Sequence, residues 1–176
     1  MLKESEPVLI CMVGISGSGK STKAKGLSEA YGCIVVSSDE IRKQYFHNVN
    51  DTVHGKQVFE ILYSKVAYAL KNRRNVIADA TFLTRKSRNA LLSHLNGIPC
   101  KKVAYVMDTP YECCVKQNEN GDRDHVVPSG VLEKQRVRLT IPEEVEGFDQ
   151  VIVACCNEKE SIFDLGCPNK EEIGLD

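Results

Sequence analysis

Val8-Leu9-Ile10-Cys11-Met12-Val13-Gly14-Ile15-Ser16-Gly17-Ser18-Gly19-Lys20-Ser21-Thr22 is the stretch on which the fold turns. Its first six residues form an unbroken apolar run, the pattern of a strand covered on both faces. The next eight match G-x-x-x-x-G-K-[ST] in full, and residues 20–31 read as a helix that stops at Gly32. Strand, glycine-rich loop and helix, in that order, build an anion cradle. The glycines let the backbone curl until its N–H groups face inward, and the helix N-terminus beyond aims partial positive charge at the same point. Gly14, Ser16, Gly17, Ser18, Gly19 and Thr22 are therefore expected to surround the phosphates of ATP. Lys20 is expected to reach the β- and γ-phosphates, and the Ser21 hydroxyl to ligate Mg²⁺. A dinucleotide fingerprint, G-x-G-x-x-G, would have to start at Gly17 and fails at Thr22.

Outward from this stretch, short β-branched-rich runs recur at residues 33–36, 75–78, 103–107 and 151–154. They lack polar alternation and read as further strands buried on both faces. Helical stretches lie between them at 58–70, 86–95, 110–118 and 128–139. In the clearest, Val58, Ile61, Leu62, Val66, Ala69 and Leu70 share one face. Strands alternating with helices imply an α/β domain: a parallel sheet of five strands with helices on both faces, here spanning residues 1–160. Residues 118–127 are polar with a glycine and read as a hinged lid at the strand C-terminal edge. Residues 161–176 carry two glycines, a proline and several acids, and read as a flexible tail.

Composition narrows the function classes. The chain has 176 residues, 42% hydrophobic and 27% charged, which suits one globular domain. Its 23 Lys+Arg are nearly cancelled by 24 Asp+Glu, which argues against a protein that grips long nucleic acid through its phosphates. No run approaches the ~20 apolar residues of a membrane span. The first seven residues lack the design of a signal peptide. The eight cysteines then read as reduced thiols, and the expected compartment is the cytoplasm. The doublets Cys113-Cys114 and Cys155-Cys156 lack the C-x-x-C spacing of a zinc site and read as small hydrophobes.

ATP is the expected nucleotide. A GTPase needs D-x-x-G after its third strand, where this chain has Asp79-Ala80-Thr81-Phe82. The near miss to a guanine reader, Asn169-Lys170-Glu171-Glu172, lies in the tail. Asp39 follows the second strand and opens Ser38-Asp39-Glu40-Ile41-Arg42, at the sheet end that faces the phosphate loop. It is read as a base for an attacking hydroxyl, with Arg42 one turn on holding an anionic group of the acceptor. The competing role is a helix cap paired with Arg42 at i+3. Asp79 ends the third strand and is read as orienting Arg42 or holding a water of the Mg²⁺ shell, against a second helix-start cap. Arg123, in the lid, is read as a cation folding over the β–γ bridge, against a solvated surface arginine.

Together these residues resemble the P-loop kinases of the polynucleotide 5′-hydroxyl kinase group, both the phage enzyme's kinase module and the bacterial end-healing kinase domain. The likeness runs over residues 8–153. It rests on residues 14–21, the D-x-x-R of Asp39 and Arg42, Asp79-Ala80-Thr81, the lid residues 120–128, and residues 142–149 before the last strand. The resemblance implies a P-loop NTPase fold with adenylate-kinase-like strand order 2-3-1-4-5. It implies catalytic roles for Lys20, Asp39, Arg42 and Arg123, and acceptor contacts from Asp39, Arg42, Asp79 and Thr81. The implied acceptor is the 5′-OH end of RNA or DNA. Two departures stand out: a single lid arginine flanked by Gly121 and His125, and Phe82 where the family often has asparagine. Both bear on acceptor or γ-phosphate handling rather than on ATP binding. The same fold also serves small-molecule kinases acting on metabolites, nucleosides or antibiotics, and ATP-binding switches with negligible turnover.

Overall fold

The computed structural model describes residues 6–120 and 126–155. The elements run β1 (Val8–Val13), α1 (Lys20–Tyr31), β2 (Ile34–Ser37), α2 (Ser38–Phe46), α3 (Gly55–Lys71), β3 (Val76–Asp79), α4 (Arg85–His94), β4 (Lys101–Asp108), α5 (Tyr111–Glu119), α6 (Ser129–Arg138) and β5 (Gln150–Cys155). One 3₁₀ turn, Glu144–Glu146, precedes β5. The strands form a single parallel sheet in the order β2-β3-β1-β4-β5. This is the expected 2-3-1-4-5 order.

β1 is the central strand and every one of its residues is buried. Alternate side chains feed two cores. Leu9, Cys11 and Val13 join Val58, Leu62 and Val66 of α3 and Leu91 of α4 on one face. Val8, Ile10 and Met12 join Ala24 and Leu27 of α1 and Tyr105 of β4 on the other. The period-2 geometry of a strand thus makes one apolar run serve both helix layers.

Two expectations of full burial are corrected at the sheet edges. Ile34 and Val35 of β2 are 36% and 38% exposed, and Val153 of β5 is 48% exposed. Both strands are edges, where a neighbouring helix covers less of each face. α3 begins at Gly55, three residues before its apolar pattern, because the polar first turn Gly55-Lys56-Gln57 carries no periodicity.

Helix ends are set by local chemistry. Gly32 closes α1 in a left-handed conformation, its N–H donating to the Ser28 carbonyl. Ser37 caps α2 and Thr84 caps α4. Neither Asp39 nor Asp79 is therefore an N-cap residue, although Asp39 keeps the i+3 pairing with Arg42 that was weighed beside its catalytic role.

Arg88 of α4 is fully buried and pairs with Glu146 over 2.7 Å. It also donates to the carbonyls of Phe82 at 3.1 Å and Thr140 at 3.0 Å. This knot ties the end of β3 to the turn before β5. Cys11, Cys33, Cys100, Cys113 and Cys114 form no disulfide. Cys156, Cys167 and the tail 161–176 lie outside the described residues. Among the described residues, no helix is long and apolar enough to cross a membrane, and no group of three metal-ligating side chains converges.

Candidate functional site

The phosphate loop sits at the C-terminal end of β1, between the ends of β3 and β4. Gly19 is the N-cap of α1, at φ 89°, and no side chain caps the helix. The first-turn N–H groups of α1 are thus left for an anion. Gly17 stands at φ 80°, and a Cβ there would lie 2.2 Å from the Cys114 carbonyl oxygen. Only glycine fits both the dihedral and the space. Lys20 is buried and folds back along the loop, its Nζ donating to the Ile15 carbonyl at 2.6 Å and to Ser18 Oγ at 3.4 Å.

Three segments brace this loop from outside. The Gly14 N–H donates to the Thr81 carbonyl at 3.1 Å. The Thr109 hydroxyl donates to the Ser18 carbonyl at 2.9 Å. The Ser16 N–H donates to Gln135 Oε1 of α6 at 2.8 Å. Ile15 packs with Leu83, Cys114 and Leu132 in a small separate core. Ser16 is among the residues expected around the phosphates, and its N–H is held by Gln135. Thr22 is exposed on α1.

The Ser21 hydroxyl donates to Asp79 Oδ2 at 2.8 Å. Asp79 is 5% exposed, while Ser21 is open to solvent. Burial pushes the Asp79 carboxyl above its ordinary range; the Ser21 hydrogen bond and the Lys20 charge pull it back, and the Asp39 charge adds to the rise. A hydroxyl beside a carboxylate is the hard-oxygen donor pair that suits Mg²⁺, so these two residues fit the implied metal.

Asp39 lies on the first turn of α2, with its side chain 52% exposed and Oδ1 2.9 Å from Arg42 Nη1. Arg42 Nε also donates to the Asp51 carbonyl at 3.1 Å. Asp51 in turn accepts from the backbone N–H of His54 at 2.7 Å and lies 2.8 Å from its ring Nδ1. These bonds lower the Asp51 carboxyl below its ordinary range. The His54 ring stacks on Phe46 with centroids 4.4 Å apart. Arg42 is therefore oriented by Asp39 and Asp51, whereas Asp79, weighed either for that task or for the Mg²⁺ shell, meets Ser21. Asp51, His54 and Gln135 were not anticipated from sequence; the Asp51–His54 spacing of three is the one local signal that was there to read.

Thr81 is half-buried and serves the loop through its carbonyl. Phe82 is 1% exposed and belongs to the core, edge-on to Phe59 with centroids 6.0 Å apart. The phenylalanine that departs from the family pattern is thus a packing residue, with its ring turned into the core. Arg123, Gly121 and His125 lie outside the described residues, as does the middle of the expected lid. At the lid's base, Asn118 of α5 and Val127 exchange two hydrogen bonds, at 2.7 and 3.0 Å.

The arrangement can be set beside known proteins. A family model described as AAA domain matches residues 9–142. A chain of the Pnkp1/Rnl/Hen1 RNA repair complex superposes with TM-score 0.66 and 26% identity over 78% of this chain. This chain spans 45% of that one. An unliganded sugar kinase from Janibacter sp. HTCC2649 gives TM-score 0.66 at 20% identity, covering 87% of each chain. The APS kinase CysC of Mycobacterium tuberculosis, in complex with AMPPNP and APS, gives 0.59 at 18% identity, covering 89% of this chain and 92% of that one. No curated protein matches significantly.

Proposed function

The chain belongs to that AAA domain family, and from this premise we propose that it is an ATP-dependent kinase whose acceptor is the 5′-OH end of RNA or DNA. The observation that carries this reading is the Asp39–Arg42 pair, 2.9 Å apart, on the helix that opens directly after Ser37, the β2 residue in register with Asp79. A carboxylate and a guanidinium side by side at the phosphate end of the sheet suit an acceptor that offers a hydroxyl next to a phosphate. The 26% identity with a chain of an RNA repair complex supports the same acceptor class.

In this reading the loop N–H groups and Lys20 hold the β- and γ-phosphates. When bound, Mg²⁺ neutralises charge on the phosphate oxygens, and Ser21 and Asp79 are the residues that would hold it. Arg42 turns from Asp39 to the acceptor's phosphate and frees the carboxylate. Asp39 then takes the proton of the 5′-hydroxyl as its oxygen bonds to the γ-phosphorus, and the bond to the β–γ bridging oxygen breaks to release ADP. Arg123 is the lid cation that offsets charge developing on the transferring group.

Transfer of γ-labelled phosphate from ATP to a 5′-OH oligonucleotide tests the proposal, with a 5′-phosphorylated strand and Lys20→Ala as blanks. Labelling of the 5′-OH strand alone is expected; absence of labelling with ATP still bound would overturn the acceptor. The near-cancelled charge, 23 basic against 24 acidic residues, favours a second reading, a small hydroxyl-bearing metabolite. Activity indifferent to Arg42→Ala would support that one.

A further inference from the structure

Gly14, Ile15 and Ser16 each have a partner outside the phosphate loop, and one of these partners comes from an unexpected place. Ser16 is the third residue of the motif, and its N–H donates to a side chain 119 positions later. Gln135 arrives on α6, and α6 is itself seated on the loop, since Leu132, one turn before Gln135, packs with Ile15. Two adjacent loop residues, Ile15 and Ser16, are thus held by one helix face, one through apolar contact and one through a hydrogen bond. The same Ile15 presents its carbonyl to Lys20 Nζ at 2.6 Å and to the Ser18 N–H at 3.2 Å. The peptide between Ile15 and Ser16 is therefore gripped from both ends: its carbonyl aims Lys20, and its N–H is tied to Gln135.

A peptide plane is rigid, so fixing the N–H fixes the carbonyl on the other side of it. We propose that Gln135 is a positioning residue for nucleotide binding: by accepting the Ser16 N–H, it orients the Ile15–Ser16 peptide whose carbonyl holds Lys20 in place. This rests on the reading of the loop as an ATP site. In this reading Gln135 does not touch the phosphates; it acts through the loop and Lys20. Losing the bond frees the peptide to rotate, and both loop shape and lysine placement must then be restored at the expense of binding energy.

The test uses the full chain and two variants. Gln135→Met keeps the length of the side chain and removes the acceptor; Gln135→Glu keeps an acceptor of equal reach. Equilibrium binding of MgADP and of a non-hydrolysable MgATP analogue is measured for wild type and Gln135→Met. One lost hydrogen bond translates to about tenfold weaker binding, and the loss should appear with both nucleotides. Amide hydrogen exchange at Ser16 supplies a second readout. Protection is expected in the free wild type, loss in Gln135→Met and retention in Gln135→Glu. Unchanged affinity in Gln135→Met overturns the proposal, as does tighter binding, which would make Gln135 a competitor of phosphate. A loss confined to the triphosphate also overturns it, because Gln135 would then be reading the terminal phosphate. If Gln135→Met fails to fold, an unprotected Ser16 amide in the free wild type is still decisive against it. Failure of the wild type to bind either nucleotide would instead sink the kinase reading, and Ser16 protection would still stand or fall alone.

Discussion

The Ser21 hydroxyl donates to Asp79 Oδ2 across 2.8 Å, joining the first turn of α1 to the end of β3 over 58 positions of sequence. The carboxylate it meets is buried, and its pKa is raised chiefly because burial disfavours the charged form. Such a group weakens the free protein and becomes favourable when a cation arrives, the pattern of a site built for a ligand.

Asp79→Asn should therefore separate stability from function. An acid whose folded pKa is raised contributes stability that is fully present below the unfolded value, about 3.9, and lost as pH rises through the folded pKa. At pH 8 the free Asp79→Asn protein should melt higher than wild type, and the gap should close as pH falls below about 4. Its Mg²⁺-dependent nucleotide binding should drop about tenfold or more. Thermal melts over a pH series and a Mg²⁺ titration check both halves. A stability difference that ignores pH would refute the assigned burial effect.

Asp39→Ala should abolish phosphoryl transfer by roughly 10²–10⁴-fold while leaving ATP affinity intact. The Asp39–Arg42 pair is largely solvated on the aspartate side, so stability should change by no more than about 0.5 kcal/mol. Single-turnover transfer and equilibrium binding, measured on one preparation, separate the two effects. Weakened ATP binding in this variant would contradict a role confined to the acceptor.

Arg88 and Glu146 are 0% and 2% exposed at their side chains, so each is a buried charge whose ion-pair partner among the described residues is the other, with hydrogen bonds from Arg88 to Phe82 and Thr140 beside it. Arg88→Met should cost about 3–5 kcal/mol, because it leaves a buried carboxylate unpaired. Arg88→Met combined with Glu146→Leu should recover more than half of that loss. The pair holds the Glu146 carboxyl below its ordinary range. A depressed acid contributes stability above its unfolded value, about 4.3, and loses it as pH falls through the folded pKa. Denaturant melts at pH 7 and pH 3 should thus show the cost of Arg88→Met shrinking in acid. An undiminished cost at pH 3 would point to packing alone.

What was legible in sequence was local. The strand, loop and helix from Val8 to Tyr31 announce themselves because periodicity, glycines and the lysine lie within one short stretch. The Asp39–Arg42 pair was readable because spacing of three places both on one helix face. The strand order followed from family resemblance; apolar runs carry no record of which strand lies beside which. For the same reason edge exposure at Ile34 and Val153 could not be read, since it depends on position in the sheet. Gln135–Ser16 and Arg88–Glu146 are 119 and 58 positions apart, and one glutamine or arginine among many on helices carries no sign of its partner.

Phe82 offers the sharpest test of how a core residue can serve the site. Its backbone stands at φ 42°, in the left-handed region, although its side chain is bulky and almost fully buried. That conformation costs about 1–2 kcal/mol for a residue with a Cβ. It lets the chain turn so that the Thr81 carbonyl meets the loop at Gly14, while the ring enters the core against Phe59. Removing the ring should cost about 3–5 kcal/mol, more than any strain relieved. Phe82→Ala keeps the strained backbone and loses the ring, whereas Phe82→Gly loses the ring and the strain together. Glycine is ordinarily about 0.5–1 kcal/mol worse than alanine within regular structure, yet here it should be the more stable variant by about 1 kcal/mol. Denaturant unfolding of the two variants decides it. If alanine is the more stable, the left-handed turn at Phe82 is not a constraint that the native fold imposes.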